Sequence, residues 1–330
     1  MDRIVCNTKV LVTGGAGFIG SNLSEALLEQ GNQVVCLDNF ATGSRKNIET
    51  LLERKNFILI EGDIRNADDC HNACRGVEYV FHQAALGSVP RSVKDPVTTN
   101  AVNISGFLNM LVAARDAGVK RFVYASSSSV YGDHKGLPKV EAETGKPLSP
   151  YAITKMVNEL YASVFAQLYK VDVIGLRYFN VFGKRQDPNG EYAAVIPRFV
   201  KALIRHQQPE IYGNGEQSRD FTYIENVVHA NQAAALAEGD GVLNNVYNIA
   251  FGDRITLNEL FLLLRENLSG FDPDIASVEP LYVAERPGDI PHSLASVDKA
   301  RELLDYQPKF DVKKGLKNAI DWYWHNLGKD

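Results

Sequence analysis

The chain reads as an α/β protein: a Rossmann-type doubly wound parallel sheet with a smaller mixed α/β lobe for substrate. Three observations predict this. Residues 10–38 form a strand, a glycine-rich turn, an amphipathic helix and a second strand ending in an acid. Apolar strands then recur at helical intervals. Beyond about Gly183 the alternation fails and Gly and Pro punctuation takes over.

The first strand is Val10-Leu-Val12, followed by Thr13-Gly-Gly-Ala-Gly-Phe-Ile-Gly20. Gly14, Gly17 and Gly20 follow G-x-x-G-x-x-G, one residue off the G-x-G-x-x-G of ordinary dehydrogenases. Each removes a Cβ where backbone must approach a pyrophosphate or pack on the strand. The helix that starts here, at Phe18 and Ile19, offers unpaired N–H groups and a positive dipole end to the diphosphate. The second strand, Gln33-Val-Val-Cys-Leu37, ends at Asp38. A carboxylate there accepts hydrogen bonds from both hydroxyls of an adenosine ribose and repels a 2′-phosphate, which favours NAD over NADP.

Further strands are expected at Phe57-Ile-Leu-Ile60, before Glu61-Gly-Asp63, and at Tyr79-Val-Phe-His82, Arg121-Phe-Val-Tyr-Ala125 and Val171-Asp-Val-Ile-Gly-Leu176. A ligand of such a sheet lies along the carboxyl ends of its strands. Asp38, Asp63, the Gln83-Ala84-Ala85 turn, the Ser126 to Ser129 run and Asn180 should therefore border one cleft. In the second half, Tyr247-Asn-Ile-Ala250 reads as a short strand, and 257–268 and 316–324 as amphipathic helices. The expected division is a dinucleotide-binding domain over 1–182, with a returning segment at about 221–250, and a substrate lobe over the remainder of 183–330.

A chain of 330 residues is long enough for two lobes sharing an interface. Its net charge of −5, with Lys and Arg scattered, gives no basic footprint for nucleic acid. No apolar run approaches the roughly 18 residues of a membrane span, so no membrane partner is expected and a cytoplasmic location is. The cysteines at 6, 36, 70 and 74 show no disulfide framework. Cys70-His71-x-x-Cys74 has no second ligand pair and reads as part of a helix, so no metal site is expected.

Ser149-Pro150-Tyr151-Ala-Ile-Thr-Lys155 carries the next signal. Ser149 suits a helix N-cap and Pro150 the first helical position, which sets Tyr151 and Lys155 one turn apart on one face. A tyrosine is a poor base at its free pKa of about 10, but a nearby ammonium and a positive nicotinamide favour its phenolate. The third member should be a hydroxyl steadying the substrate oxygen, supplied by the serine run at 126–129.

These residues, with Gly62-Asp63-Ile64 and Arg286-Pro-Gly-Asp289, make the chain resemble the extended short-chain dehydrogenase/reductase family over essentially its whole length. Within that family it is most similar to nucleotide-sugar 4-epimerases, especially those acting on UDP-N-acetylhexosamines. The resemblance selects Ser127 from the serine run as the catalytic hydroxyl. It also extends the NAD site to Asn39, Phe40, Thr42, Gly43, Ile64, Asn103, Tyr178 and Val181. In such enzymes NAD stays bound and is regenerated each turnover. By analogy, Tyr151 takes the proton of the sugar 4-hydroxyl while C4 gives hydride to NAD. The resulting 4-keto sugar turns over in the pocket and is reduced on its other face. Lys155 binds the nicotinamide ribose.

Water-eliminating siblings carry an Asp-Glu pair directly after the catalytic hydroxyl, and sugar-acid decarboxylases a glutamate just before Val-Tyr-Gly. Here those positions hold Ser128 and Ser129, which favours simple epimerisation. For the UDP moiety the resemblance implies a pyrophosphate clamp of Arg219 and Arg286, Asn180 on the diphosphate, Asp289 on the uridine ribose, and Ala194, Val195 and Tyr212 at the uracil. Ser88 and Arg91, in Gly87-Ser-Val-Pro-Arg91, belong to a loop near the sugar, beside Ser128 and Ser129. At Ser293, epimerases restricted to unsubstituted hexoses have a tyrosine; serine leaves room for an N-acetyl group. The expectation is interconversion of UDP-GlcNAc and UDP-GalNAc, weaker on UDP-glucose and UDP-galactose. The competing readings are a UDP-uronate 4-epimerase or decarboxylase, and a noncatalytic dinucleotide-binding module. The family also commonly forms homodimers through paired helices, here those at about 100–117 and 149–169.

Overall fold

In the computed structural model, which describes residues 4–188, 194–285 and 291–328, seven parallel strands form one sheet. Across it they run Asn245–Ile249, Val173–Tyr178, Arg121–Ser127, Tyr79–His82, Lys9–Thr13, Gln33–Asp38 and Phe57–Glu61. The chain builds outward from Lys9–Thr13 in one direction, then crosses back and builds outward in the other. The reversal falls between Lys9–Thr13 and Tyr79–His82, where Thr13 stands in register with His82. Connections leave such a pair of strands in opposite directions, which opens a crevice at their carboxyl ends.

The strands form because both faces are buried. Val10 and Val12 point into a core shared with helices Phe18–Glu29 and Ile224–Leu236, while Leu11 points into a second core under helices Ala67–Cys74, Phe107–Asp116 and Pro150–Tyr169. Near-continuous apolar runs are what two covered faces require. The first core continues into the second lobe, where helices Val195–Ile204, Leu257–Ser269 and Val312–Leu327 pack on one another. Short ladders edge this lobe: Glu210–Tyr212 lies parallel to Leu281–Val283, and Ser218–Arg219 antiparallel to Ile255–Thr256.

Three sequence expectations shift. The sixth sheet strand lies at Val173–Tyr178, two residues later than read from the apolar run. The last helix starts at Val312, because the Asp311 side chain accepts the Lys314 N–H at 2.7 Å and caps it there. Pro96–Asp116 is one continuous helical run of 21 residues, long and apolar enough by length and composition to cross a membrane. The expectation that no segment approaches that length is therefore corrected. The apolar side chains are used inside the protein: Phe107, Met110, Leu111 and Ala114 are buried in the sheet's flank.

Cys70 and Cys74 lie in the Ala67–Cys74 helix with both thiols free and buried, and burial pushes each up to about 12. Among the described residues no group of His, Cys, Asp and Glu could hold a metal ion.

Candidate active site

A cavity of about 390 Å³ lies along the carboxyl ends of the strands at the topological reversal. The glycine turn forms its first wall. Gly14 has φ +65°, and a Cβ there would stand 2.8 Å from the Ala84 backbone, so the turn and the Gln83–Ala85 segment close up only because Gly14 has no side chain. Gly17 is the N-cap of the Phe18–Glu29 helix; it supplies no side-chain cap, and the first turn carries no acid. The helix therefore presents uncapped N–H groups and a positive end to the cavity, a donor set that fits a dinucleotide pyrophosphate. Asp38 Oδ2 accepts the Ala16 N–H at 2.9 Å and Oδ1 the Phe40 N–H at 2.8 Å. These bonds fix the carboxylate on the cavity rim while each oxygen keeps a lone pair for a ribose hydroxyl.

The opposite wall carries Ser127, Tyr151 and Lys155. Ser149 Oγ accepts the Ala152 N–H at 3.1 Å and Pro150 opens the helix, which sets Tyr151 and Lys155 one turn apart. The Lys155 ammonium donates to the Ala125 carbonyl at 2.7 Å and lies 5.9 Å from the centre of the Tyr151 ring. Burial pulls Lys155 down to about 8, with Glu159 acting against it. Glu159 is itself paired with Arg177 at 2.8 Å and accepts the Ser126 hydroxyl at 2.5 Å. Burial pushes the Tyr151 phenol above its ordinary value, opposed by a hydrogen bond with Ser127. In the chain alone the Lys155 ammonium is directed at the Ala125 carbonyl, and burial is the largest influence on Tyr151.

The cavity also brings together Gly20, Phe18, Ile19, Asn39, Thr42, Asp63, Ile64, Gln83, Ala84, Ala85, Tyr178, Val181 and Asn180 from the sequence reading. Several expected residues do not line it. Phe40 leaves the strand at φ +57°, and its ring stacks under the Arg45 guanidinium. Gly43 packs on the glycine turn, where a Cβ would meet the Ala16 backbone at 2.9 Å. Asn103 is spent on the protein itself: Oδ1 accepts the Leu86 N–H at 2.8 Å, and Nδ2 donates to the Leu86 carbonyl and to Thr154 Oγ1. Ser88 Oγ accepts the Arg91 N–H, and the Arg91 guanidinium turns back to the Gly87 carbonyl. Ser128 and Ser129 enter a 3₁₀ turn, Ser128–Tyr131, in which Ser127 Oγ accepts the Ser129 N–H.

Ala194, Val195, Tyr212, Arg219 and Ser293 stand in the second lobe, outside the cavity lining. Arg219 donates to the Ser218 and Pro291 carbonyls, and the Ser293 N–H donates to the Ser218 carbonyl at 3.0 Å, so these two residues belong to one local unit. Arg286 and Asp289 lie outside the described residues. Sequence reasoning missed Leu37, Ala41, Leu86 and Val102 in the lining, and named Gly87 only as the start of the loop near the sugar. Leu86 and Val102 are apolar, and nothing in an apolar residue's spacing says that it faces a ligand.

A parallel sheet reversing over a glycine-walled cavity, with a Tyr, Lys and Ser on the facing wall, defines a dinucleotide-dependent oxidoreductase-type site. The chain belongs to the NAD dependent epimerase/dehydratase family, whose pattern matches residues 10–250, and NAD is its cofactor. Within that family its relatives set it among the UDP-sugar 4-epimerases. It is 35% identical to a UDP-glucose 4-epimerase of Mycolicibacterium smegmatis over 96% of this chain and 98% of that protein. The UDP-N-acetylglucosamine 4-epimerase of Methanobrevibacter ruminantium M1, solved with UDP-N-acetylmuramic acid, superposes with a TM-score of 0.90 at 38% identity, covering 97% of this chain and 99% of that one. The UDP-glucuronic acid 4-epimerase of Bacillus cereus, solved with UDP-glucuronic acid and NAD, gives 0.86 at 31% identity over 96% and 99%.

Proposed function

We propose that the protein interconverts UDP-GlcNAc and UDP-GalNAc, and more weakly UDP-glucose and UDP-galactose, through a transient 4-keto sugar, with NAD retained throughout. The observation that carries the epimerase reading is the convergence of Ser127, Tyr151 and Lys155 on the cavity walled by the glycine turn and Asp38. NAD, when bound, would supply the reversible hydride chemistry at the sugar C4. The Tyr151 phenolic oxygen takes the proton of the 4-hydroxyl and gives it back, so the residue ends each turnover in its starting state. Burial opposes its phenolate and Ser127 favours it; the nicotinamide charge is the further favourable contribution. Ser127 Oγ also steadies the sugar 4-oxygen. Lys155, oriented by the Ala125 carbonyl, holds the nicotinamide ribose. Ser128 and Ser129 in place of carboxylates leave no acid–base pair for water elimination.

In the second lobe, Arg219 and Arg286 are the proposed pyrophosphate clamp, with Asn180 on the diphosphate, Asp289 on the ribose, and Ala194, Val195 and Tyr212 at the uracil. Ser293 supports the acetylated substrate because its small side chain leaves volume at C2. We expect kcat/KM to be higher for the acetylated pair, and Ser293→Tyr to abolish that reaction selectively while sparing UDP-glucose. NMR product analysis on a panel of UDP-sugars decides: equal or better turnover of the unacetylated pair removes the substrate assignment, and carbon dioxide release or a preference for UDP-uronates removes it in favour of a uronate enzyme.

The protein is further proposed to act as a homodimer. Ile153, Leu160, Val164 and Leu168 form a stripe along one face of the Pro150–Tyr169 helix, with Leu160 62% and Leu168 68% exposed. Val93 and Val97, also exposed, stand on the short helices packed beside it. A second copy of the same face would cover this apolar surface.

A further inference from the structure

Both backbone groups of Tyr151 are held by side chains. Its N–H donates to Ser92 Oγ at 3.0 Å, and its carbonyl accepts from Thr154 Oγ1 at 2.8 Å. An N–H in the first turn of a helix has no partner inside the helix, so the Ser92 hydroxyl supplies a bond that the fold otherwise lacks. Ser92 is wholly buried, and its own hydroxyl donates to the Val89 carbonyl at 2.7 Å. Thr154 Oγ1 in turn accepts from Asn103 Nδ2 at 3.1 Å, and Asn103 bonds both the N–H and the carbonyl of Leu86. Asn103 sits in a π-helical segment, Ala101–Gly106, a local widening of the helix that recurs at functional sites.

These bonds close a ring: Leu86, Asn103, Thr154, Tyr151, Ser92, and back along the chain to Leu86. Leu86 and Gly87 are cavity wall. Between them and Ser92 the chain passes through Ser88 at φ +94°, a conformation a serine keeps only when its surroundings dictate it. The Arg91 guanidinium, donating to the Gly87 carbonyl at 3.3 Å, braces this stretch from within.

We infer that Ser92 is a positioning residue for Tyr151, tying the sugar-side loop 86–92 to the backbone of the base so that loop and phenol move as one. The inference rests on the proposed role of Tyr151. Ser92 touches neither the cavity nor the reacting atoms; it acts through the Tyr151 backbone. Losing its hydroxyl frees the first turn of the helix to shift, and a displacement of about 1 Å at the reacting atoms can cost up to roughly 100-fold in rate. No side chain proposed to bind NAD or the nucleotide is altered, so the loss is expected in kcat.

The test uses full-length Ser92→Ala, Ser92→Thr and Tyr151→Phe, assayed over a concentration series of UDP-GlcNAc and of UDP-glucose up to saturation, with bound NAD and thermal midpoint measured on each. Ser92→Ala is expected to lose roughly 10- to 100-fold in kcat with KM, NAD content and midpoint near wild type, and Ser92→Thr, which keeps the hydroxyl, to regain most of the loss. Wild-type kcat in Ser92→Ala overturns the inference. So does a loss shared by KM or NAD content, or a Ser92→Thr enzyme as slow as the alanine variant while folding as well. Full turnover by Tyr151→Phe instead removes the base on which the inference stands, and is distinguishable because Ser92 then has nothing to position.

Discussion

Lys155 is 2% exposed, and burial brings its ammonium down to about 8. Its charge is present below that pH and lost above it, so kcat/KM is expected to decline on the alkaline side of about pH 8, and a profile flat to about pH 10 would count against its role. His82 shows the same physics acting on stability. It is wholly buried beside Phe107 and Phe122, with Nδ1 2.9 Å from Thr13 Oγ1, and burial pulls it down to about 3. An unfolded histidine titrates near 6.5, so the unfolded chain takes up a proton first as pH falls. The contribution is complete above about pH 6.5 and is lost as pH drops toward about 3. Thermal midpoints measured between about pH 7 and pH 4.5 should fall more steeply for the wild type than for His82→Gln. Equal slopes would show that His82 does not couple to stability. That Tyr151, Lys155 and Asp38 line one cavity was legible because helix or strand spacing alone fixes where they point. Phe40 and Asn103 were not. Whether such a side chain faces a ligand or its own backbone depends on one loop's φ or one helix's widening, which no spacing records.

At the level of elements, the parallel strands were readable because two covered faces demand unbroken apolar runs, and the helix at Pro150 because Ser149 and Pro150 mark its start. The two-residue ladders of the second lobe left no such trace: a pair like Ser218–Arg219 with Ile255–Thr256 is too short for any period to show. The Pro150–Tyr169 helix serves two purposes on two faces. One buries Ala162 and Phe165 against the sheet; the other exposes Leu160, Val164 and Leu168. Leu160→Asp would place a charge in the centre of the exposed stripe without touching the core. Sedimentation should then report a shift from dimer toward monomer at unchanged fold. A wild-type protein that sediments as a monomer would remove the dimer proposal outright.

For the molecule as a whole, the reversal of the sheet at Lys9–Thr13 was implied by the alternation of strands and helices, and with it the side on which a ligand lies. The division of labour between the lobes was harder to read, because their cores are continuous and the chain passes between them more than once. The last strand of the sheet, Asn245–Ile249, pairs outside Val173–Tyr178 only after the chain has made part of the second lobe. During synthesis this imposes an order of events. The strand Val173–Tyr178, buried along its whole length in the finished protein, waits as an open edge until Ile249 has left the ribosome. An open apolar edge is a template for wrong pairing, so the late strand Asn245–Ile249 is what closes the sheet on this side.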